Sequence, residues 1–298
     1  MGAFYLLACI LSVALLSIPA SASGQKSKET ENKVKYRTLR WDPPDVDKLV
    51  EPLAGAPACV LSDVLQHAAS RAKQMEDNLA SFTADETIQY ESIIQNWFPP
   101  QYGFGKFKYA VDVATGPSGA SIEETRMPMK GTQSYPASDQ DRGLPELALI
   151  FLPKFQSDYD MECDGETKRN YEAAWVIHFR QRSDVPAHAF SYVDGHGGSY
   201  AAKLKGRAWI SADFGEVVHL ETALMEGIPD MRVQDSWFSI DYGPVQFQSK
   251  NVRLWLPHTV SAYVQFDDRR TILYHTFSNF VLVWTQTKQE IKKPSKPQ

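Results

Sequence analysis

The sequence predicts an α+β fold that is mainly antiparallel β, with one amphipathic helix near its N-terminal end. Residues 203–291 supply the first observation, because short runs rich in Val, Ile, Trp, Tyr and Phe alternate there with polar residues. Turns containing Gly, Pro or Asp separate these runs at intervals of roughly 8–12 residues, which is typical of an antiparallel β-meander. The second observation is a helical period over residues 58–79, followed at once by a period of two over residues 81–90.

The N-terminal segment is typical of an export signal. Residues 3–18 form a continuous apolar run, and Ala20-Ser21-Ala22 matches the small-residue pattern of a cleavage site. We therefore expect residues 1–22 to be a signal peptide and the protein to be exported, either to the periplasm or into the medium. A retained anchor is the weaker alternative, because the run is short for a spanning helix. We interpret residues 23–57, which are polar and then Pro-containing, as an arm.

The clearest helix signal covers residues 58–79. Apolar residues recur there at intervals of three and four, and no Gly or Pro interrupts them. Polar residues, among them Arg71 and Gln74, fall largely on the other side. One face of the helix should therefore lie on an apolar surface, which we expect to be the sheet. The apolar positions are Leu61, Val64, Leu65, Ala68, Ala72, Met75 and Leu79.

Strand signals follow the helix directly. Residues 81–90 alternate between apolar and polar side chains, residues 107–113 and 121–126 predict a hairpin, and residues 173–181 predict a further strand. Residues 144–155 are apolar but contain two prolines, and their periodicity leaves a short helix and a buried strand as open alternatives.

Loops are expected in two places and a disordered segment in a third. Residues 127–143 and residues 186–199 contain Gly, Pro, Ser or Asp at several positions. The tail, residues 292–298, is rich in Lys and Pro, and we expect it to be disordered.

Composition limits the classes of function. The chain has 298 residues, of which 43% are hydrophobic, and a formal net charge of −5 with both signs mixed along it. Proteins that bind nucleic acid usually carry a basic face or patch, so we expect no nucleic-acid partner. After the signal segment, no stretch is long and apolar enough to span a bilayer.

Two cysteines remain once the signal peptide is removed, Cys59 and Cys163. In an oxidising compartment they can form one disulfide, although their separation in sequence neither supports nor excludes the pairing. The sequence has no CxxC and no Cys/His cluster, so we expect no zinc site and no other cofactor.

Three short motifs follow one another in an order that resembles a known superfamily. The first strand opens with SFTADET at residues 81–87, and KGRAWIS at residues 205–211 and GEVVHLE at residues 215–221 come later. Together with the signal segment and the amphipathic helix, this order is similar to that of the periplasmic lipoprotein carrier and lipoprotein-sorting superfamily, the LolA-like proteins. It also resembles exported bacterial proteins in which the segments at residues 206–210 and 240–247 recur.

The resemblance implies both a shape and a class of ligand. LolA-like proteins are curved sheets or half-open β-barrels with helices packed on the concave side, and they bind acyl chains or lipoproteins. Residues 58–291 would form this domain. The arm and the loop at residues 127–143 are additions to the carrier pattern, and the short motifs assign no individual functional residue.

No motif identifies a catalytic residue. The GHGGS segment at residues 195–199 resembles the glycine-rich oxyanion loop of esterases, but no GxSxG nucleophile elbow accompanies it. A flexible turn between strands explains these glycines more simply. The histidines are scattered, and none forms a metal-ligating pair of the HExxH type.

Each strand of the meander carries one aliphatic face and one polar face with a large aromatic residue, since side chains alternate along a strand. Leu204 and Ile210, for example, oppose Arg207. In one interpretation the aromatic residues form cross-strand pairs and Arg–aromatic stacks on a solvated face. In the other they line a half-open groove and bind an amphiphile. These candidate ligand-binding residues are Trp209, Trp237, Trp255 and Tyr263.

The functional hypothesis is therefore an exported, non-enzymatic envelope protein. It would bind an acyl chain, a lipoprotein or another amphiphile in a groove between the helix and the curved sheet. One alternative is a secreted hydrolase whose site is assembled from non-local Asp, Glu and His residues. Another is a scaffold or sensor domain that binds protein through its exposed aromatic face.

Overall fold

The computed structural model covers most of the predicted β domain and the second half of the arm. The predicted signal peptide, the C-terminal tail and most of the loop at residues 127–143 lie outside the described residues. None of the described helices is long and apolar enough to cross a membrane. The described residues are 41–78, 81–94, 99–116, 119–132, 146–187, 191–193, 199–248 and 251–283.

Helix α1 comprises Leu61–Asn78, close to the bounds that the apolar period predicts. Its buried residues follow one another at steps of four, four and three, and all of them belong to the main hydrophobic core. The opposite side is polar, and Lys73 pairs with Asp77 one turn further along the helix. The buried residues are Val64, Ala68, Ala72 and Met75.

Ten antiparallel strands form one open, curved sheet. The strands of the chain are β1 Ser81–Ile94, β2 Gln101–Gly116, β3 Gly119–Pro128, β4 Tyr159–Arg169, β5 Glu172–Gln181, β6 Ser191–Val193, β7 Ser199–Ala201, β8 Leu204–Ser211, β9 Val217–Leu224, β10 Val233–Phe247, β11 Val252–Phe266 and β12 Arg269–Leu282. Their order in the large sheet is β3-β2-β1-β12-β11-β10-β9-β8-β5-β4. The sheet does not close on itself, which confirms the predicted α+β class with a curved, mainly antiparallel sheet.

Irregular register contributes to the curvature. The pairing shifts between Asp241 and Tyr242 on β10, between Cys163 and Gly165 on β4, and between Trp209 and Ile210 on β8. An extra residue on one strand bends that strand and increases its local twist. The two short strands β6 and β7 pair with each other in a separate two-stranded sheet, and β6 lies where the sequence predicts a loop.

The inner face of the sheet, defined here as the side covered by α1, carries the predicted aliphatic residues. Leu204, Ala208 and Ile210 are buried in the main core, together with Ile240 and Val260. The segment that the sequence left open between helix and strand is a 3-10 helix, Glu146–Phe151, followed by a short helix α2, Pro153–Gln156. Its side chains from 147 to 152 are all buried, so this segment fills much of the space between α1 and the sheet.

The outer face, defined here as the side carrying Lys205, Arg207 and Trp209, is partly covered by the arm. The backbone N–H of Val50 donates to Asp164 at 2.8 Å, and the side chain of Arg207 donates to the carbonyl of Lys48 at 2.8 Å. Val50 packs against the small outer cluster that contains Trp209. Immediately after the arm, Cys59 and Cys163 form a disulfide.

Candidate functional site

An apolar cleft remains beside α1, where the helix meets the inner face of the sheet. We call this space the helix cleft. Its floor comes from strands β9 to β11, and one wall comes from α1. The cleft has a volume of about 40 Å³, which admits roughly three water molecules. Its apolar lining consists of Ala68, Ala72, Met75, Ala148, Val217, Tyr242, Leu254 and Trp255.

Small side chains on the helix create this space. Ala68 and Ala72 are both buried, but neither has atoms beyond Cβ, so the helix comes near the sheet without filling the gap. Met75 closes one end of this wall and is also buried. Methionine is unbranched and adapts its shape easily, so this end of the cleft can change shape at low cost.

The helix cleft continues into a wider and more polar opening, which we call the vestibule. Its volume is about 270 Å³. The two spaces share lining residues, so a molecule in the cleft can extend directly into the vestibule. The vestibule is lined by Arg71, Gln74, Phe214, Glu216, Asn251, Val252, Arg253 and Trp255.

The turn between β8 and β9 brings two of these residues up to the helix. Gly215 has a φ of +76°, and a Cβ atom at this position would lie 2.8 Å from the Cβ of His67. Glycine therefore permits both the left-handed backbone and the close approach. Phe214 and Glu216, its neighbours in sequence, are held beside α1 as a result.

Arg71 is tied to this turn and to its own helix. Its Nε donates to the carbonyl oxygen of Phe214 at 2.7 Å and lies 3.3 Å from a carboxylate oxygen of Glu216. Its Nη1 donates to Gln74 at 3.0 Å. Two groups of the protein therefore already accept hydrogen bonds from this guanidinium.

Glu216 is poorly solvated. One of its oxygens faces Arg71, whereas the other, Oε2, is buried and has no hydrogen-bond partner among the described residues. Burial raises the pKa of the Glu216 carboxyl above its usual value, although the charges of Arg71 and Arg253 oppose the shift. This carboxyl thus takes up a proton more readily than an exposed glutamate.

Arg253 is the other cation of the vestibule, and its surroundings differ. Its guanidinium carbon lies 4.7 Å from the centre of the Trp255 ring, and the side chain is exposed. In the described part of the chain, no carboxylate lies within 4.0 Å of this guanidinium. Trp255 itself is partly buried and packs against the main core.

The structure places the four predicted aromatic residues in three locations. Trp255 lines both the helix cleft and the vestibule. Trp237 and Tyr263 are cross-strand neighbours on β10 and β11, with ring centroids 5.3 Å apart in an edge-to-face arrangement. Trp209 lies on the outer face beneath the arm. Only Trp255 is therefore placed at the site described here, and a ligand-binding role for the other three stays a prediction.

His–carboxylate pairs occur elsewhere in the sheet. Nδ1 of His275 lies 2.8 Å from Glu86, which also receives a hydrogen bond from Arg126 at 2.7 Å. On the outer face, Nδ1 of His219 lies 2.8 Å from Asp241. Neither pair lines the helix cleft or the vestibule. Within the described ranges, no group of three or more His, Cys, Asp or Glu side chains is arranged to hold a metal ion.

Comparison with solved structures finds similarity to bacterial proteins. One is a LolA superfamily protein from Nitrosomonas europaea, with 10% identity and a TM-score of 0.32 over 76% of this chain and 96% of that chain. Another is an outer membrane lipoprotein-sorting protein domain from Vibrio parahaemolyticus, with 12% identity and a TM-score of 0.34 over 77% and 95% of the two chains. A third is a DUF1329 family protein from Desulfovibrio piger, with 10% identity and a TM-score of 0.34 over 76% and 94%.

The first two of these proteins carry the names of the superfamily that the sequence motifs resemble. No protein-family model and no curated protein matches the chain.

Sequence reasoning missed the charged residues of the site. Arg71 belongs to the polar side of the helix pattern, and nothing in the sequence distinguishes it from the other polar residues there. The spacing of Arg253 and Trp255 does predict a stack of the guanidinium on the ring, because residues two apart on one strand lie on the same side of it. Glu216 precedes β9 in a turn, where a carboxylate is ordinarily solvated.

Proposed function

We propose that this protein binds the alkyl or acyl chain of an amphiphile in the helix cleft. The supporting observation is the arrangement of the two spaces: a mostly apolar cleft under an amphipathic helix opens into a wider vestibule, and the charged residues Arg71, Glu216 and Arg253 lie where the two meet. A molecule with an apolar end and a polar end matches this division of surfaces. We further propose that the protein acts without catalysing a reaction.

The helix cleft must widen to hold more than the end of a chain. Its present volume of about 40 Å³ is small, so a longer chain requires Met75 or α1 itself to move. Among the described residues, the ion pairs between α1 and its surroundings are partly solvated. They include the Arg71 to Glu216 pair at 3.3 Å and a pair between Lys154 and Glu76 at 2.7 Å. Partly solvated pairs of this kind each stabilise a structure by about 1 kcal/mol or less. The main cost of an outward shift of α1 is therefore the exposure of its buried apolar side chains, which the chain of a bound ligand would cover.

We propose that the site operates outside the cytoplasm. The export signal predicted over residues 1–22 is one support for this location. The disulfide between Cys59 and Cys163 is a second, because such bonds persist in the periplasm and in secreted proteins.

Chain binding can be tested by adding a bulky side chain to the cleft wall. Ala72 lies on this wall, so the Ala72→Leu variant places three more carbons in the space that the chain would occupy. Overpacking of this kind costs about 1–3 kcal/mol, and every 1.4 kcal/mol changes a dissociation constant about tenfold. We expect at least about a fivefold loss of affinity for a fluorescent fatty acid, with native mass spectrometry as a second measure of bound ligand.

Ser70→Leu is the matched control. Ser70 lies on the exposed side of the same helix, so the same side chain there should leave the affinity unchanged. The proposal is wrong if the unmodified protein takes up no fatty acid and carries no lipid after mild purification. It is also wrong if both leucine variants bind as well as the unmodified protein.

A further inference from the structure

The vestibule carries an uneven set of charges. Two cations, Arg71 and Arg253, and one carboxylate, Glu216, line it. Their formal sum is one positive charge when Glu216 is ionised and two when it is protonated. Clefts lined by one sign of charge concentrate ligands of the opposite sign. A positively charged head group would therefore be repelled and a negatively charged one attracted.

The two cations are not equally available. Arg71 already donates to Phe214 and Gln74 and faces Glu216. Arg253 stacks on Trp255 and lies within 4.0 Å of no carboxylate in the described ranges. A guanidinium has five N–H donors in a planar fork, and stacking on an aromatic ring limits its orientations without using those donors. Arg253 is thus the preoriented and unpaired cation.

Trp255 connects this cation to the apolar cleft. Its side chain lines both spaces, and Arg253 lies over its ring at 4.7 Å. A chain that runs along the apolar wall beside Trp255 therefore ends close to the Arg253 guanidinium. A carboxylate at that end can accept two parallel hydrogen bonds from the guanidinium fork.

We infer that the vestibule selects an anionic head group, and that the ligand is a single-chain amphiphile whose terminal carboxylate binds Arg253. This inference rests on the proposed function, because the head group is placed by the chain in the helix cleft. Glu216 is the neighbouring carboxylate. It pairs with Arg71 at 3.3 Å, and its charge also acts on Arg253, although it lies more than 4.0 Å from that guanidinium.

The experiment compares ligands of equal chain length and different head groups. Dodecanoate, dodecanol and dodecyltrimethylammonium each compete with a fluorescent alkyl probe, below their micelle concentrations. We expect dodecanoate to bind about tenfold more tightly than dodecanol, because a hydrogen bond between two charged groups is stronger than one to a neutral hydroxyl. Dodecyltrimethylammonium should bind most weakly of the three.

The Arg253→Gln variant separates the head group from the chain. We expect it to bind dodecanol as before and to lose the preference for dodecanoate. Arg270→Gln is the control, because Arg270 is an exposed arginine of β12 that lines neither space. This control variant should keep the preference.

Each result has a distinct meaning. If none of the three ligands binds, the proposed function fails and the inference fails with it. If dodecanoate and dodecanol bind the unmodified protein equally well, the proposed binding of the alkyl chain in the helix cleft is supported. The inference about the head group is then wrong. The inference is equally wrong if Arg253→Gln still prefers dodecanoate.

Discussion

Two Arg–Trp sites on this sheet share their chemistry and differ in their surroundings. On the outer face, the guanidinium carbons of Arg169 and Arg207 lie 5.4 and 5.3 Å from the ring centre of Trp209. At the vestibule, Arg253 lies 4.7 Å from the ring centre of Trp255. Trp209 is only 6% exposed, whereas Trp255 lines an open space.

The charge balance of the two sites shows what each can do. Arg207 donates to Glu221 at 2.6 Å, and Arg169 donates to Asp241 at 2.9 Å. Both cations of the outer site are therefore paired with carboxylates, whereas Arg253 has no carboxylate within 4.0 Å among the residues that the structure describes. A stack whose cations are paired holds strands together, and a stack with an unpaired cation beside a cavity can receive a ligand. The same pair of residue types thus has a structural role in one place and a binding role, as we propose, in the other.

The largest expected effect is on the free energy of unfolding, which should fall more when Trp209 is replaced than when Trp255 is replaced. Trp209→Ala should lower the free energy of unfolding by about 3–5 kcal/mol, the usual cost of removing a buried aromatic side chain. Trp255→Ala should cost less, about 1–2 kcal/mol, since this ring is only partly buried. Urea denaturation measures both losses. Equal losses would remove the distinction between a structural stack and a binding stack.

Removing the disulfide tests the connection between the two faces. The chain passes from the outer-face arm to inner-face helix α1 at Cys59, and its bond to Cys163 closes a loop with a sequence separation of 104. Replacing both cysteines with serine should lower the free energy of unfolding by about 2–5 kcal/mol. A reductant should destabilise the unmodified protein similarly and leave the double variant unaffected. If the reductant destabilises both equally, the bond is not the source of the effect.

A smaller effect is expected at Glu221 of the outer site. Burial alone would raise the pKa of this carboxyl, but His219 and Arg207 lower it below the usual value of 4.5. A lowered pKa means that the carboxylate stabilises the fold above pH 4.5 and loses this contribution as the pH falls through the lowered value. Glu221→Gln should therefore cost about 1–3 kcal/mol at pH 7. The difference from the unmodified protein should vanish in strong acid, as measured by denaturation at several pH values.

The smallest effect is expected at Glu216 of the vestibule, and its sign is opposite. Because burial raises the pKa of Glu216 above 4.5, its ionised form costs stability at neutral pH, and this cost disappears as the pH falls below the usual value. Glu216→Gln should leave stability at pH 7 unchanged or raise it by up to about 1 kcal/mol. A loss of stability as large as that of Glu221→Gln would show that the two carboxyls have the same role.

Much of the fold follows from periodicity. The period of α1 predicts its buried face correctly, including Val64 and Met75. The alternation in β8 predicts that Leu204 and Ile210 are buried on the inner face. These predictions succeed because side-chain direction repeats locally, every 3.6 residues in a helix and every two in a strand.

Strand β4 and the 3-10 helix could not be predicted in this way. β4, Tyr159–Arg169, is a polar segment at the edge of the sheet, and its strand conformation depends on pairing with β5. Edge strands are commonly polar, which reduces pairing with other chains. The 3-10 helix is apolar throughout residues 147–152 and buried on all sides, so its sequence has no polar face from which a period could be recognised.

The sequence by itself determined which side chains of α1 and of β8 turn inward, because that choice depends on local geometry. It did not do so for Trp255, which the alternation in β11 assigns to the face opposite Leu254 but which lines the cleft beside α1. It also contained the pairing of a cation with an aromatic residue at Arg253 and Trp255. Only the tertiary structure decided that Arg71 from α1, Glu216 from the β8–β9 turn and Arg253 from β11 share one vestibule. Strand register and sheet curvature bring these three positions together, and both depend on contacts between residues that are far apart in the chain.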